Sequence, residues 1–195
     1  MIPPRLILAS TSRYRRELLE RLRLPFEVRP PAVDESMLPD ERPADAALRL
    51  AQAKARAVGA VFPASLIIGC DQIAVLGNRA LGKPGGHQEA VAQLKAMRGL
   101  DVVFHTALAV LNTATGALQL ADVPTTVRFR DYSDGEIERY LALERPYDCA
   151  GSARIEGLGI ALVERVESED PSALIGLPLI GLTTMLRNEG LAVIR

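Results

Sequence analysis

Six charged side chains lie at positions where they could bind or hydrolyse a phosphate compound. They are Arg15, Arg16, Lys54 and Lys83 on the basic side, and Glu35 and Asp71 on the acidic side. Cations neutralise phosphate oxygens, carboxylates hold Mg²⁺ or Mn²⁺, and a carboxylate can activate water for attack at phosphorus. The combination of residue types therefore favours a site for a metal-bridged polyphosphate.

The arginines lie in the segment Leu8 to Leu22, at the start of a predicted helix. A helix N-terminus carries partial positive charge and free N–H donors, so anions are favoured there. With Ser12 as the N-cap, the leucine spacing puts Arg15 on the apolar face, which predicts an anion site more strongly than a structural role. Arg16 lies nearer to solvent, where an ion pair with Glu20 is an equal alternative.

Asp71 follows an apolar strand that the sequence predicts at 66–70. A carboxylate inside an apolar segment is costly to bury unless another group pairs with it. Ligands bind at the carboxyl ends of strands in α/β sheets, so we predict Asp71 to be a metal ligand or general base. A structural aspartate that caps a turn is the alternative.

A glycine-rich segment, Gly77 to Gly86, carries Lys83. The spacing of Gly77, Gly82 and Lys83 nearly matches the phosphate-binding P-loop. Pro84 breaks the match, because proline has neither the hydroxyl that holds magnesium nor an N–H group. A P-loop NTPase is therefore disfavoured, and Lys83 is predicted to be either a phosphate contact or an ordinary solvated lysine.

Two weaker signals complete the set. Asp34 and Glu35 form a carboxylate pair in a loop, where oxygen ligands could hold a divalent cation. Lys54 lies on or near the apolar face of its helix, where a snorkelling lysine and a phosphate-facing one give the same pattern. His87 and His105 are too far apart in sequence to predict a metal cluster, so we interpret both as structural or surface residues.

Composition limits the class of protein. The 195 residues are 48% hydrophobic and 24% charged, with a formal net charge of −1, which argues against disorder and against broad adhesion to nucleic acid or lipid. Cys70 and Cys149 belong to no C-x-x-C pair, so a zinc site or disulfide framework is not expected. No signal peptide or membrane span is predicted, and we expect a reduced, cytoplasmic setting.

The elements that must position these residues alternate between strand and helix. Periodicity predicts strands at roughly 5–9, 26–29, 66–70, 73–76, 102–112, 117–130 and 159–166, and helices at about 13–23, 43–58, 87–98, 133–143 and 177–189. Alternating strands and helices predict a mixed α/β sheet with flanking helices. With no linker or repeat in the sequence, we expect one compact unit over 1–195.

The segments that carry these residues resemble the Maf family of nucleoside triphosphate pyrophosphatases over nearly the whole chain. "LILASTSRYRRELLERL" resembles the family's S-x-S-P-R-R segment, "VDES" its V-D-E segment, "LAQAKA" its helix lysine, "IIGCDQ" its G-x-D motif, "LGKP" its G-K-P motif and "GLPL" its last turn. Asp71 and Gln72, with "CAGSARIEGLGIALVE" and "DPSALIGLPL", are more similar to the branch acting on 7-methyl-GTP than to the branch acting on dTTP and UTP.

The resemblance implies a mixed twisted sheet with two lobes around a central cleft, related to the inosine triphosphate pyrophosphatases (Maf/Ham1). It also implies a nucleoside triphosphate substrate, cleavage between the α and β phosphates, and a homodimer. The divalent cation is expected to be Mg²⁺ or Mn²⁺. A dTTP or UTP pyrophosphatase is one alternative, and a nucleotide-binding regulator of septum formation without important turnover is another.

The resemblance also implies roles for individual residues. Asp71 is similar to the family's proton acceptor, and Tyr14, Gln72 and Glu156 match positions that tune base choice. The positions that match the phosphate and metal side are Ser10, Arg15, Arg16, Glu35, Lys54 and Lys83. Arg13 departs from the family pattern, because it stands where the motif usually has proline.

Overall fold

The computed structural model describes residues 4–194 of the chain. The strands are β1 (Arg5–Ala9), β2 (Glu27–Arg29), β3 (Ser65–Leu76), β4 (Arg79–Leu81), β5 (Asp101–Asn112), β6 (Leu118–Phe129) and β7 (Val163–Ser168). The α-helices are α1 (Arg13–Glu20), α2 (Pro43–Gly59), α3 (His87–Met97), α4 (Asp134–Glu144) and α5 (Leu179–Asn188). Short 3₁₀ turns cover Ala150–Ser152, Leu158–Leu162 and Ala173–Ile175.

The strands form a mixed sheet in the order β2-β1-β3-β5-β6-β7, with β4 paired to β3. Strand β1 runs parallel to both of its neighbours, so that Leu8 lies opposite Val28 on one side and Ile68 on the other. The pairs β3–β4 and β6–β7 are antiparallel. A mixed sheet with flanking helices was predicted, and the structure confirms it.

The chain divides into two compact units. The first contains the residues through Asp71, residues 106–123 and the residues from Asp170 onward; the second contains 72–105 and 124–169. The two predicted lobes correspond to these units. The central cleft and a single domain over 1–195 stay predictions.

The first unit has an apolar core built from its strands and from helices α1 and α5. Leu18 and Leu19 of α1 are buried, which confirms that the leucine spacing marks the inner face of this helix. From α5, Leu182 and Leu186 join the same core. The helix residues that carry chemistry are thus fixed by the packing of their apolar neighbours.

Helix α2 approaches β3 closely because the contact surface consists of small residues. Ala51 and Ala55 are fully buried, and they face Gly69 of β3. A β-carbon on Gly69 would lie only 2.1 Å from the Ala51 carbonyl oxygen and 2.9 Å from the Ala55 backbone nitrogen. Glycine is therefore required at this contact, and the contact brings Lys54 of α2 alongside β3.

The second unit has its own core, in which α3 packs against α4. Tyr132 is 1% exposed, packs edge to face on Phe129, and donates a hydrogen bond from its hydroxyl to the Leu94 carbonyl oxygen at 2.7 Å. Ser133 and Glu136 form a capping box at the start of α4, which satisfies backbone donors there.

Several predicted boundaries were wrong. The sequence suggested separate strands at 66–70 and 73–76, but β3 continues from Ser65 to Leu76 without a break. Asp71 therefore lies inside a strand rather than at its carboxyl end, and the strand tolerates it because a lysine pairs with it. The short strand β4 was not predicted.

The late strand was predicted at 159–166, whereas the chain forms a 3₁₀ turn over Leu158–Leu162 and enters β7 only at Val163. The turn is tight: a β-carbon on Gly159 would lie 2.5 Å from the Arg154 carbonyl oxygen. Helix α1 ends at Glu20 rather than at 23, close to the left-handed conformation of Arg23 at φ 54°. Within residues 4–194, no helix is both long enough and apolar enough to cross a membrane.

Candidate functional site

A buried lysine between two carboxylates forms the centre of the candidate site in the first unit. The Lys54 Nζ donates a hydrogen bond to Asp71 Oδ1 at 2.5 Å and lies 2.8 Å from Glu35 Oε1. Lys54 is 3% exposed and Asp71 is 7% exposed, whereas the Glu35 side chain is 58% exposed. The three residues were predicted separately from sequence, and the structure brings them together.

The position of Lys54 follows from its helix. Pro43 occupies the first turn of α2, where its missing N–H is not needed, and the alanine-rich body continues to Gly59. Lys54 lies on the buried face, between Ala51 and Ala55 in the series of buried positions. Its ammonium reaches a carboxylate rather than solvent, so the snorkelling alternative is wrong for this residue.

The Lys54 ammonium compensates the charge of Asp71. Two unpaired charges at this depth would each cost several kcal/mol of desolvation, whereas a hydrogen-bonded pair offsets much of that cost. The Asp71 carboxylate was expected to need a partner, and Lys54 is that partner. The alternative of an aspartate that caps a turn is wrong, because Asp71 lies within β3.

The loop that carries Glu35 is held against α2 by Arg49. This arginine donates to the Ser36 carbonyl oxygen at 3.0 Å and to both carboxylate oxygens of Glu41, at 2.6 and 2.7 Å. The hydrogen bonds from Arg49 lower the pKa of Glu41 to about 2. Asp34 accepts from the Ser36 backbone N–H at 2.9 Å, and hydrogen bonds from the Ser36 side chain and then from its backbone lower the pKa of Asp34. Asp34 therefore shapes the turn, and Glu35 faces Lys54.

Arg15 points into the first unit, as its spacing predicted. Its Nε donates to the Gly176 carbonyl oxygen at 3.0 Å, and its backbone N–H donates to the Ser12 hydroxyl at 3.4 Å. Ser12 is thus the N-cap that the sequence predicted. Because the Nε hydrogen bond fixes one edge of the guanidinium plane, the plane is oriented before any anion binds.

Ser10 lies directly after β1 and is 3% exposed. Its hydroxyl oxygen accepts a hydrogen bond from the Ser12 backbone N–H at 3.1 Å. The two serines therefore order the turn between β1 and α1. A contact between Ser10 and phosphate stays a prediction.

Arg16 and Arg13 lie at the surface of α1. The Arg16 Nε donates to Glu20 at 2.9 Å, which is the exposed ion pair that the sequence offered as an alternative. The Arg13 guanidinium lies 4.8 Å from the centre of the Tyr14 ring. Arg13 had no predicted role, and the structure places it on the residue expected to recognise the base.

Cys70 lies beside this centre but has the properties of a structural thiol. It is fully buried, and burial raises the pKa of its thiol to about 11. The Sγ donates to the Gly176 carbonyl oxygen at 2.9 Å, so this carbonyl accepts from both Cys70 and Arg15. The thiol is protonated near neutral pH and is not a nucleophile there.

The second unit contains the other predicted site residues. Lys83 is exposed in the turn after β4, where the Gly82 carbonyl oxygen accepts from the Gln93 side chain at 3.1 Å. Glu156 lies in a turn, with its Oε1 3.4 Å from the Arg154 Nε. Gln72 is half-buried in β3. The roles of Lys83, Gln72 and Glu156 in substrate binding stay predictions.

A divalent cation fits the donors around Lys54 only in part. Glu35 and Asp71 direct two carboxylates at one ammonium, and carboxylate oxygens are the ligands that Mg²⁺ and Mn²⁺ prefer. Among the described residues, no three His, Cys, Asp or Glu side chains are grouped closely enough to hold a metal ion. Mg²⁺ commonly uses one or two carboxylates plus substrate phosphates and water, so this donor set fits a cation that arrives with a polyphosphate.

Sequence reasoning missed several residues that build the site. Gly69 sets the approach of α2, Arg49 holds the Glu35 loop, and the Gly176 carbonyl orients Arg15. The glycines in the G-x-D and GLPL segments were visible in the sequence. Their contacts were not, because Gly176 is 161 residues from Arg15.

The sequence is similar to a described family and to known proteins. Residues 5–189 match the family described as "Maf-like protein". A protein of Ralstonia nicotianae named "7-methyl-GTP pyrophosphatase" is 60% identical over 188 residues, which is 96% of each chain. Proteins with the same name from Methylobacillus flagellatus and Cupriavidus metallidurans are 59% and 58% identical, over 98% and 96% of this chain and 100% and 94% of theirs. The chain therefore belongs to the Maf family.

Proposed function

We propose that this protein is a nucleoside triphosphate pyrophosphatase that hydrolyses 7-methyl-GTP to the nucleoside monophosphate and pyrophosphate. The observation that carries the proposal is the buried ion pair between Lys54 and Asp71 with Glu35 beside it. Curated relatives that are 58–60% identical over nearly the whole chain bear the name 7-methyl-GTP pyrophosphatase, which supports this choice of reaction and substrate.

In the proposed reaction, Asp71 accepts a proton from the attacking water. The water oxygen forms a new bond to phosphorus, the α–β phosphate bridge breaks, and pyrophosphate leaves with the bridging oxygen. Lys54 holds the Asp71 Oδ1 in place and balances its charge within the buried site. A positioned general base typically contributes about 10²–10⁴-fold to the rate.

Glu35 and Asp71 are the residues that would hold a divalent cation. When bound, Mg²⁺ or Mn²⁺ neutralises negative charge on the phosphate oxygens. The exposed Glu35 side chain can leave Lys54 at small cost, since surface ion pairs contribute little. Activity is expected to disappear with a chelator and to return with either metal.

Arg15 binds a phosphate group in this proposal. Its Nε donates to the Gly176 carbonyl oxygen, and the two Nη atoms of a guanidinium carry further N–H donors that can bind an anion. The partial positive charge at the start of α1 favours negative charge at the same position. Ser10, Arg16 and Lys83 are proposed as additional contacts on the phosphate side.

Base choice is assigned to Tyr14, Gln72 and Glu156. A 7-methylguanine base is cationic, and a cation stacks favourably on an aromatic ring. The Arg13 guanidinium lies over the Tyr14 ring, so a methylated base that stacks on this face displaces it. The Arg13 guanidinium also repels a cationic base but not the neutral guanine of GTP, so Arg13→Ala is expected to favour 7-methyl-GTP over GTP relative to the wild type.

The decisive assay measures kcat/KM for 7-methyl-GTP, GTP, UTP and dTTP with Mg²⁺, with pyrophosphate release as the signal. We expect the highest kcat/KM for 7-methyl-GTP, and a loss of about 10²–10⁴-fold in kcat for Asp71→Asn. Asp45→Asn is the matched control, because Asp45 is an exposed aspartate of the first unit that pairs with Arg42.

Three results would change this conclusion. A preference for pyrimidine nucleotides would identify a dTTP or UTP pyrophosphatase. Tight nucleotide binding without pyrophosphate release would identify a binding protein and would support a regulatory role in septum formation. Full turnover by the Asp71→Asn variant would refute the assignment of Asp71 as the proton acceptor.

The proposal also includes a homodimer in the cytoplasm. The mass of the purified protein in solution, measured by light scattering, tests the dimer. Fluorescent labelling in cells tests the location. An effect on septation that survives Asp71→Asn would separate any cellular role from turnover.

A further inference from the structure

The segment from Asp170 to Gly181 contains a buried carboxylate that has no part in the reaction described above. Asp170 is 3% exposed, which is unusual for an aspartate outside a catalytic centre. A buried carboxylate is costly unless several donors face it. The donors around Asp170 therefore indicate what the residue does.

Both carboxylate oxygens of Asp170 accept hydrogen bonds from the same loop. Oδ1 accepts from the Ser172 backbone N–H at 3.1 Å and from the Ser172 hydroxyl at 2.6 Å. Oδ2 accepts from the backbone N–H of Ile180 at 2.7 Å and of Gly181 at 3.3 Å. Asp170 thus joins the beginning of the segment to its end.

Ser172 extends this connection. Its hydroxyl oxygen accepts from the Leu179 backbone N–H at 2.7 Å and lies 2.9 Å from the Leu177 carbonyl oxygen. The first N–H groups of a helix have no partner within the helix. Pro178, which precedes α5, offers no side-chain cap, so Asp170 and Ser172 supply the acceptors from the other end of the loop.

The closed loop presents one carbonyl group to the candidate site. Gly176 has a backbone φ of 121°, which residues other than glycine rarely adopt. Its carbonyl oxygen accepts hydrogen bonds from Arg15 Nε at 3.0 Å and from Cys70 Sγ at 2.9 Å. A β-carbon at Gly176 would lie 3.6 Å from Arg15 Nε. The orientation of the Arg15 guanidinium therefore depends on where this loop is held.

We infer that Asp170 is a positioning residue for substrate phosphate, acting through the Gly176 carbonyl on the guanidinium of Arg15. This inference rests on the proposed function, in which Arg15 binds a phosphate group of the nucleotide. The role assigned to Asp170 is indirect, through its hydrogen bonds to Ser172 and to the start of α5. It fixes the loop, the loop fixes the carbonyl, and the carbonyl fixes the plane of the arginine.

A carboxylate is required at this position because both of its oxygens accept. The side chain of asparagine has one accepting oxygen and an NH₂ group that only donates. Asp170→Asn therefore leaves either the Ser172 group or the α5 group of donors without an acceptor. The loop loosens, and the Arg15 guanidinium loses its fixed orientation.

A double-mutant cycle separates this role from a general loss of stability. We expect Asp170→Asn and Arg15→Met each to raise KM about tenfold, which is about 1.4 kcal/mol. If Asp170 acts through Arg15, Asp170→Asn adds nothing further to KM in the Arg15→Met background. Ser133→Ala is the matched control, because it removes the cap of α4, and we expect its KM to be unchanged.

A second measurement does not depend on turnover. The Nε–H of Arg15 is hydrogen-bonded to Gly176 and is expected to exchange slowly with solvent in the NMR spectrum of the whole protein. In the Asp170→Asn variant this exchange becomes faster. The Nε–H of Arg49, which is part-buried and bonded to Glu41, serves as the internal control and keeps its rate.

The outcomes distinguish this inference from the proposed function. An inactive wild type would refute the proposed function, whereas the exchange of the Arg15 Nε–H would still test the link to Asp170. Additive effects on KM, a KM increase in Ser133→Ala of the same size, or unchanged exchange at Arg15 would each overturn the inference. If Asp170→Asn does not fold, Ser172→Ala takes its place in both experiments, with the same expected signs and smaller changes.

Discussion

Replacing Lys54 with methionine is the substitution for which the structure gives the clearest expected cost. Methionine has a similar length and no charge, so the packing of α2 is retained. The substitution leaves Asp71, 7% exposed, without the ammonium that lies 2.5 Å from its Oδ1. Breaking a buried ion pair by removing one partner typically costs about 3–5 kcal/mol, because a buried charge is left uncompensated.

The exposed partner of the same lysine provides an internal comparison. The Glu35 side chain is 58% exposed and lies 2.8 Å from Lys54 Nζ. Exposed ion pairs contribute about 0–1 kcal/mol. Glu35→Gln is therefore expected to lower the free energy of unfolding by less than about 1 kcal/mol, several times less than Lys54→Met. Both variants are expected to lose activity. Glu35→Gln therefore loses turnover with little loss of stability, whereas Lys54→Met loses both.

Urea unfolding followed by circular dichroism measures these differences. The chain contains two compact units, so coincident transitions by circular dichroism and tyrosine fluorescence are needed before a single free energy is fitted. The double variant Lys54→Met/Asp71→Leu replaces both charges with apolar groups. Its stability is expected to lie within about 1 kcal/mol of the wild type or above it, because such replacements are often neutral or stabilising.

Two results would refute this reasoning. A loss below about 1 kcal/mol for Lys54→Met would mean that the pair is effectively solvated. A double variant that is as unstable as Lys54→Met would mean that packing around α2, rather than the uncompensated carboxylate, determines the loss.

Three further predictions follow from individual contacts. Gly69→Ala is expected to destabilise the protein by about 1–3 kcal/mol and to lower kcat, because its β-carbon would lie 2.1 Å from a carbonyl of α2 and would force the helix away from β3. Burial raises the pKa of Cys70 to about 11, so iodoacetamide near neutral pH is expected to label Cys149 and to leave Cys70 unmodified until the protein unfolds. Hydrogen bonding from Arg49 lowers the pKa of Glu41 from 4.5 to about 2. The stability that this pair contributes is therefore fully present above pH 4.5 and is lost as the pH falls towards 2. Glu41→Gln is expected to reduce the slope of the unfolding free energy against pH in that window.

Each of these predictions has a control within the chain. Gly135→Ala, in the first turn of α4, places a β-carbon 3.9 Å from the Ser133 hydroxyl oxygen, an ordinary contact distance, and is expected to lower neither stability nor kcat. Mass spectrometry of alkylated peptides identifies the labelled cysteine, and rapid labelling of Cys70 in the folded protein would contradict its burial. For the acid window, Asp45→Asn removes another carboxylate whose pKa is lowered by a hydrogen bond from an arginine, Arg42. A smaller change in slope is expected for Asp45→Asn than for Glu41→Gln, and an equal change would contradict the larger contribution assigned to Glu41.

The sequence by itself determined the local elements and the kinds of chemistry. Helix periodicity correctly put Arg15 and Lys54 on inward faces, and the two long strands predicted at 102–112 and 117–130 form within one or two residues of those bounds. These features depend on contacts within a few residues, so a single sequence contains them. The residue types indicated phosphate chemistry, and the resemblance of the motifs to the Maf family implied the reaction class.

Tertiary structure alone decided which of these groups meet. The pairing of Lys54 with Asp71 depends on the approach of α2 to β3 at Gly69, and the orientation of Arg15 depends on a loop held by Asp170. Strand β3 continues past Asp71, because Lys54, 17 residues earlier in the chain, supplies the positive charge that makes burial of the carboxylate possible. Local patterns fix the face on which a side chain lies, whereas its partner is fixed by packing between segments that are far apart in sequence.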